Sequence, residues 1–271
     1  MNVELGLFFA FFGMFSIYLL TLYLISPTKG ITIREIFGGV VAGILSTSLL
    51  QFLYVIFPVG DLPSKFVEYM WVVGPREELC KFAVFWLLTE WISKHRYIRP
   101  IEYMVLSIAV ALGFALEENL HYYLAYGNHV VGIRNFSAMP AHMFFGGIIG
   151  YWYGLGKLNI GKFGNRINLG RFFKRTRLLT YSLIGVWLAS FAHGIWNYKI
   201  HFYAQVLNLV LEDSEWFVKM KIFNSGWFPL TLFFIFVLIF FMRLLYRDLI
   251  KLENEKIKYL KNHELPENRK Q

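Results

Sequence analysis

Seven apolar stretches of membrane-crossing length leave this chain one class of fold. Lipid offers backbone N–H and C=O groups no partner, so segments of this kind must satisfy their own hydrogen bonds as helices. The stretches run at approximately 4–26, 36–58, 66–92, 101–126, 138–157, 178–203 and 226–246. The expectation is an all-α polytopic membrane protein of about seven transmembrane helices. It forms a single transmembrane domain over 1–246, followed by a charged, helical tail at 247–271. Composition agrees: 17% of residues are charged, against about 25% in soluble domains. The first stretch lacks a basic lead-in and a small-residue cleavage site, so it reads as a retained span rather than a signal peptide. Linkers are short, without repeats or low-complexity tracts, and the basic run from Lys157 to Arg177 reads as the longest internal loop. The one cysteine, Cys80, excludes an intramolecular disulfide and reads as packing.

The formal charge of +9 does not point to nucleic acid, because the basic residues flank the apolar runs. One set of loops carries Lys29 and Arg34, then Lys94, Arg96 and Arg99, then Lys157 to Arg177, then the tail. The opposite set carries only Lys65, Arg134, Lys199, Lys219 and Lys221. Cytoplasmic loops concentrate Lys and Arg, which puts the N-terminus outside and the C-terminus in the cytoplasm.

Against this apolar background stand Glu77, Glu78, Glu117, Glu118, His142 and His193. A carboxylate at mid-membrane costs roughly 2.5–3.5 kcal/mol on insertion scales, so several on separate spans imply a shared polar site. Counted from the outer ends of their spans at 1.5 Å per residue, Glu77 lies about 16 Å deep, Glu118 about 12 Å, His193 about 15 Å and His142 about 6 Å. They converge on the outer half of the membrane.

Glu77 and Glu78 precede Lys81 by four and three residues, so either can pair with its ammonium. Adjacent carboxylates point about 100° apart on a helix, which assigns one to the reaction centre and the other to Lys81. Pro75, just upstream, breaks the helical hydrogen bonding beside them. Glu118 and His121 share a helical spacing used by metal ligands, yet His121 stands with Tyr122 and Tyr123 where interfacial aromatics belong. His142 is followed by Gly146, Gly147 and Gly150, small residues that let a neighbouring helix come close. His193 and Asn197 lie one turn apart on one face, which suits a metal or a pair of oxyanion donors. His95, His129, His201 and His263 fall in loops or at span ends and receive no role.

The chemistry this set supports is hydrolysis. Two histidines and a carboxylate leave an open position on zinc, whose bound water becomes a nucleophile near neutral pH. A second carboxylate then takes the water's proton and passes it to the leaving amine. Without a metal, Glu77 acts as the base directly, with histidine and asparagine groups stabilising the oxyanion. Spacing alone does not choose between these, nor does it exclude a proton- or cation-coupled transporter or a non-catalytic receptor.

Four motifs in order resemble the PrsW family of intramembrane proteases. EExxK is met by Glu77, Glu78 and Lys81, and FxxxEN by Phe114, Glu118 and Asn119. A histidine with glycine eight residues on is met by His142 and Gly150, and HxxxN by His193 and Asn197. The match covers roughly residues 70–200, inside an expected catalytic core of about 66–203. The resemblance implies a protease of the prokaryotic plasma membrane, working within the lipid bilayer on membrane-anchored proteins such as anti-sigma-factor-like regulators. The chain is distantly similar to CAAX-type prenyl endopeptidases, but Glu118 stands where those have histidine. That departure favours a metal, Zn2+, held by Glu118, His142 and His193. The same resemblance makes Glu77 the general base, with Glu78 sharing the role or held by Lys81. Asn197 and Asn119 then become oxyanion or supporting donors. The outer-leaflet depth predicts cleavage near the external face. The metal-free CAAX-type mechanism and the transporter stay as alternatives.

Overall fold

A computed structural model describes residues 14–25, 30–126, 128–158, 170–210, 240, 243–255 and 257–258. Every regular element among them is helical. In chain order these are α1 (Met14–Ile25), α2 (Ile33–Ile56), the single turn α3 (Lys65–Glu68), a π-helical turn (Tyr69–Val73), α4 (Gly74–Ser93), α5 (Pro100–Tyr126), α6 (Asn128–Leu158) and α7 (Gly170–Val210). Residues 243–255 form a further helical stretch. The first part of the expected span 4–26, before residue 14, and most of the expected span 226–246 fall outside the described residues.

Four expected boundaries or interiors differ. Helix α2 starts at Ile33 rather than 36 because Thr32 and Glu35 form a capping box. The Thr32 hydroxyl accepts from the Glu35 N–H (3.2 Å) and the Glu35 carboxylate accepts from the Thr32 N–H (2.7 Å). The third span is not one helix: the π turn interrupts it immediately before Pro75, whose ring supplies no N–H to an α-helical ladder. Helix α6 begins ten residues before the expected 138, so Arg134 stands on a helix and not in a loop. Pro140 lies inside that helix. Helix α7 begins at Gly170, so residues 170–177 of the basic run from Lys157 to Arg177 are helical; Lys and Arg are good helix formers and continue the span that follows.

Helix α5 is the central element, 89% buried within its most apolar window. Its partners approach on small residues. On α6, a Cβ added to Gly146 would sit 2.6 Å from the Ser107 carbonyl, and one on Gly150 would sit 2.5 Å from the Met104 Cα. The α5–α6 hairpin is therefore held backbone to backbone, a close approach that rewards dispersion between helices in lipid. Its register sets Gly146 opposite Ser107, Gly150 opposite Tyr103 and Met104, and Gly154 opposite Pro100.

The outer surfaces tell the complementary story. Ile33, Phe37, Val41 and Leu45 on α2, and Leu179, Leu183, Trp187, Phe191 and Ile195 on α7, are exposed at four-residue spacing. Each set is a continuous apolar stripe on one helix face, which a water-facing helix would fill with charge. Three helices, Ile33–Ile56, Pro100–Ala125 and Thr176–His201, are by length and composition able to cross a membrane. The described residues are thus all-helical in their regular structure, with the length and apolar surface expected of membrane-crossing helices.

Charged groups gather at one end. Arg96 donates to both carboxylate oxygens of Glu35 (2.7 and 3.0 Å) and to Glu102 (2.6 Å), joining the starts of α2 and α5. The Glu35 hydrogen bond holds the Arg96 guanidinium above its ordinary pKa. Arg99 makes a two-bond contact with Glu253 (3.0 and 3.1 Å), tying the C-terminal helical stretch to the same end.

Candidate functional site

Glu77 closes the first turn of α4 and Glu78 opens the second, just after the π turn and Pro75. What brings this turn against α7 is glycine. A Cβ on Gly74 would lie 2.5 Å from the Ser190 carbonyl oxygen, and one on Gly194 would lie 2.9 Å from the Met70 Cα. The two backbones touch there, so the adjacent side chains Glu77, Glu78 and His193 are forced into one small space.

His193 is buried between the two glutamates. Its Nδ1 is 2.7 Å from Glu78 Oε1 and its Nε2 is 3.5 Å from Glu77 Oε2. A carboxylate only accepts, so the Glu78 contact puts the ring proton on Nδ1. The Nε2 lone pair then faces Glu77 Oε2, which is buried and has no hydrogen-bond partner. Two facing lone pairs in an apolar interior call for a cation or a proton between them.

Glu78 does a second job with the same oxygen. Lys81, also buried, donates to Glu78 Oε1 at 2.6 Å, while Glu78 Oε2 is left unpartnered. Lys81 lies 3.1 Å from His142 Nδ1 and 4.4 Å from the centre of the Phe114 ring. An ammonium only donates, so Nδ1 of His142 is the acceptor and its Nε2 carries the proton. That Nε2 donates to Glu118 Oε2 at 2.9 Å. Glu118 in turn is paired with Arg134 at 2.7 Å. Phe145 stacks on His193 with ring centres 4.9 Å apart, closing the apolar side of the site.

Of the residues singled out from sequence, Glu77, Glu78, Lys81, Glu118, His142 and His193 therefore form one connected cluster drawn from α4, α5, α6 and α7. Glu77, His142 and His193 each present a ligand atom within 4.8 Å of the others. The carboxylate in this group differs from the expected one: Glu118 is occupied by Arg134 and His142, and Glu77 takes the place facing both imidazoles. The donor set is one that zinc accepts, two imidazoles and a carboxylate, and the orphaned Glu77 oxygen fits a bound cation.

Asn119 is fully buried, with its amide committed at both ends: Oδ1 accepts from Arg134 Nε (2.7 Å) and Nδ2 donates to Asn135 Oδ1 (3.0 Å). Asn197 lies one turn beyond His193, half-buried, and no hydrogen bond engages its amide among the described residues. His121 is exposed and accepts from Gln51 Nε2 at 3.3 Å, away from the cluster. Cys80 is buried and takes no part. The residue missed from sequence is Arg134, read there as a loop charge. The signal lay in the hairpin: with the turn near residue 127, Arg134 and Asn135 fall opposite Glu118 and Asn119.

The family model of the PrsW family intramembrane metalloproteases matches residues 27–242. Among curated proteins, Protease PrsW of Geobacillus kaustophilus (strain HTA426) is 29% identical over 182 residues, covering 67% of this chain and 69% of that protein. No solved structure matches. The family match takes in the whole buried Glu/His cluster and the helices that assemble it, and the chain belongs to the PrsW family of intramembrane proteases.

Proposed function

We propose that this protein is a metal-dependent intramembrane protease whose ligands are Glu77, His142 and His193. The observation that carries the reading is the convergence of these three buried groups, with a Glu77 oxygen that nothing else satisfies. Zinc bound there supplies a Lewis acid and a water activated near neutral pH.

The protein's own residues do the rest. Glu78 holds the His193 proton on Nδ1 and so keeps Nε2 available, as carboxylates beside metal-binding histidines do. Glu118 does the same for His142 from the other nitrogen, leaving Nδ1 as the donor. The unpartnered Glu78 Oε2 is the oxygen free to take a proton from attacking water and return it to the departing amine. The open amide of Asn197 is the donor for the developing oxyanion. The surrounding phenyl rings keep bulk water out and strengthen each of these interactions. A substrate helix has to unwind locally before its peptide bond is available, since helical carbonyls are already hydrogen-bonded. The family and the bacterial relative support a membrane-anchored protein substrate in a prokaryotic plasma membrane, and the loop charges support an outside N-terminus with cleavage toward the external face.

One observation favours a second reading. Lys81 sits on the very nitrogen of His142 that a metal would use. In a metal-free mechanism Lys81 stays there and Glu77 is the base. Elemental mass spectrometry on purified protein, beside Glu77→Gln, His142→Ala and His193→Ala, separates the two. Stoichiometric zinc in the wild type, lost from all three variants, is expected. A metal-free wild type that still cleaves a membrane-anchored test substrate in the presence of strong chelators would overturn the metal reading.

A further inference from the structure

Each imidazole of the site is held by a carboxylate, and each carboxylate by a cation. On one side the order is Lys81, Glu78, His193, with contacts of 2.6 and 2.7 Å. On the other it is Arg134, Glu118, His142, with contacts of 2.7 and 2.9 Å. The first chain lies within the EExxK motif and α7. The second recruits a residue that belongs to none of the four motifs. We infer that Arg134 is a positioning residue of the active site, acting through Glu118 to orient His142; this rests on the proposed ligand set.

The geometry around Arg134 shows how. Its Nη2 forms an ion pair with Glu118 Oε2 at 2.7 Å while its Nε donates to Asn119 Oδ1 at 2.7 Å, so one guanidinium engages two consecutive residues of α5. Asn119 is fixed from behind by Asn135, the residue after Arg134 on α6. The guanidinium lies 3.7 Å from the centre of the Tyr122 ring, which closes its remaining face. Both contacts fall on Oε2, so the α5–α6 hairpin places that oxygen of Glu118 between the guanidinium and His142.

Arg134 also supplies the counter-charge for Glu118, a third carboxylate in a site that already holds Glu77 and Glu78. Lysine can supply the charge but not the flat guanidinium that engages both residues, so Arg134→Lys should restore part of the function and not all of it.

The test uses the full-length protein in lipid nanodiscs, with Zn2+ affinity measured by chelator competition and the site's symmetry read from the visible spectrum of the Co2+-substituted protein. Neither readout depends on substrate cleavage. Arg134→Gln and Glu118→Gln should each weaken Zn2+ about 10–100-fold and alter the Co2+ bands. Their double variant should be no weaker than the worse single, because both act through one imidazole. Arg134→Lys should recover part of the loss. Wild-type affinity and spectrum in Arg134→Gln would overturn the assignment while leaving the metal site intact. If Arg134→Gln does not fold, comparing Glu118→Gln with the double variant decides: equal affinity supports the inference, and a further tenfold loss overturns it. A wild type without affinity for Zn2+ would remove the metal reading itself, and this inference with it.

Discussion

Replacing Glu78 by Gln removes a fully buried charge that both Lys81 and His193 contact. Glu78 and Lys81 are 0% and 2% exposed, and their 2.6 Å contact is the shortest in the site. At an effective dielectric of about 20, two unit charges at that distance attract by roughly 6 kcal/mol. Desolvation offsets part of this, but the substitution removes one partner only and strands the other, which costs about 3–5 kcal/mol in comparable buried pairs. The amide oxygen can still accept from His193 Nδ1, so that contact contributes a smaller loss of about 1 kcal/mol. The expected total is about 4–6 kcal/mol. Adding Lys81→Met removes the stranded ammonium and should recover most of it, while proteolysis stays abolished in both variants because His193 has lost its charged anchor. The assay is denaturation of the detergent-solubilised protein followed by labelling of Cys80. It is the chain's one thiol, 1% exposed, and sits between the two residues in sequence. A Glu78→Gln protein within 1 kcal/mol of wild type, or a Lys81→Met change that adds its own full cost, would refute the stranded-charge reasoning.

Three further outcomes are expected. Gly74→Ala places a methyl group 2.5 Å from the Ser190 carbonyl and pushes α4 off α7; overpacking of this kind costs about 1–3 kcal/mol, and turnover should fall about 100-fold with Glu77 displaced from His193. Unchanged turnover in steady-state cleavage would show that this contact does not set the site. Asn197→Ala should lower kcat by about 100–1,000-fold while metal content holds, and loss of metal would make Asn197 a ligand instead of an oxyanion donor. Arg96→Ala strands the fully buried Glu102 and should cost about 3 kcal/mol of stability. Glu102 and Glu118 are 16 residues apart on α5, about 24 Å along the axis, so turnover per folded molecule should be retained. A matching collapse of kcat would mean that the two ends are coupled.

The helical class was legible in the chain itself, and so was the set of buried ionisable residues that has to meet, because lipid permits few uses for an ionisable group. Once apolar runs dictate helices, a glutamate pair, a lone histidine or an HxxxN on those runs has to find partners of its own kind, and Glu77, Glu78, Lys81, Glu118, His142 and His193 do meet. Which partner each one finds was not legible. Helical spacing says that Glu77 and Glu78 diverge, but only the contact of Gly74 with Ser190 and of Gly194 with Met70 turns both onto His193. Glu118 read as a ligand because it stands where CAAX-type proteases have histidine, and Arg134, sixteen residues on, read separately as a loop charge. The start of α6 at Asn128 and the register of the hairpin bring that guanidinium onto Glu118 and hand the place facing the imidazoles to Glu77. Periodicity and hydropathy act along one helix at a time. The allocation of charge among buried groups is settled by distances of 3 to 4 Å between helices, and those depend on where small residues let the backbones touch.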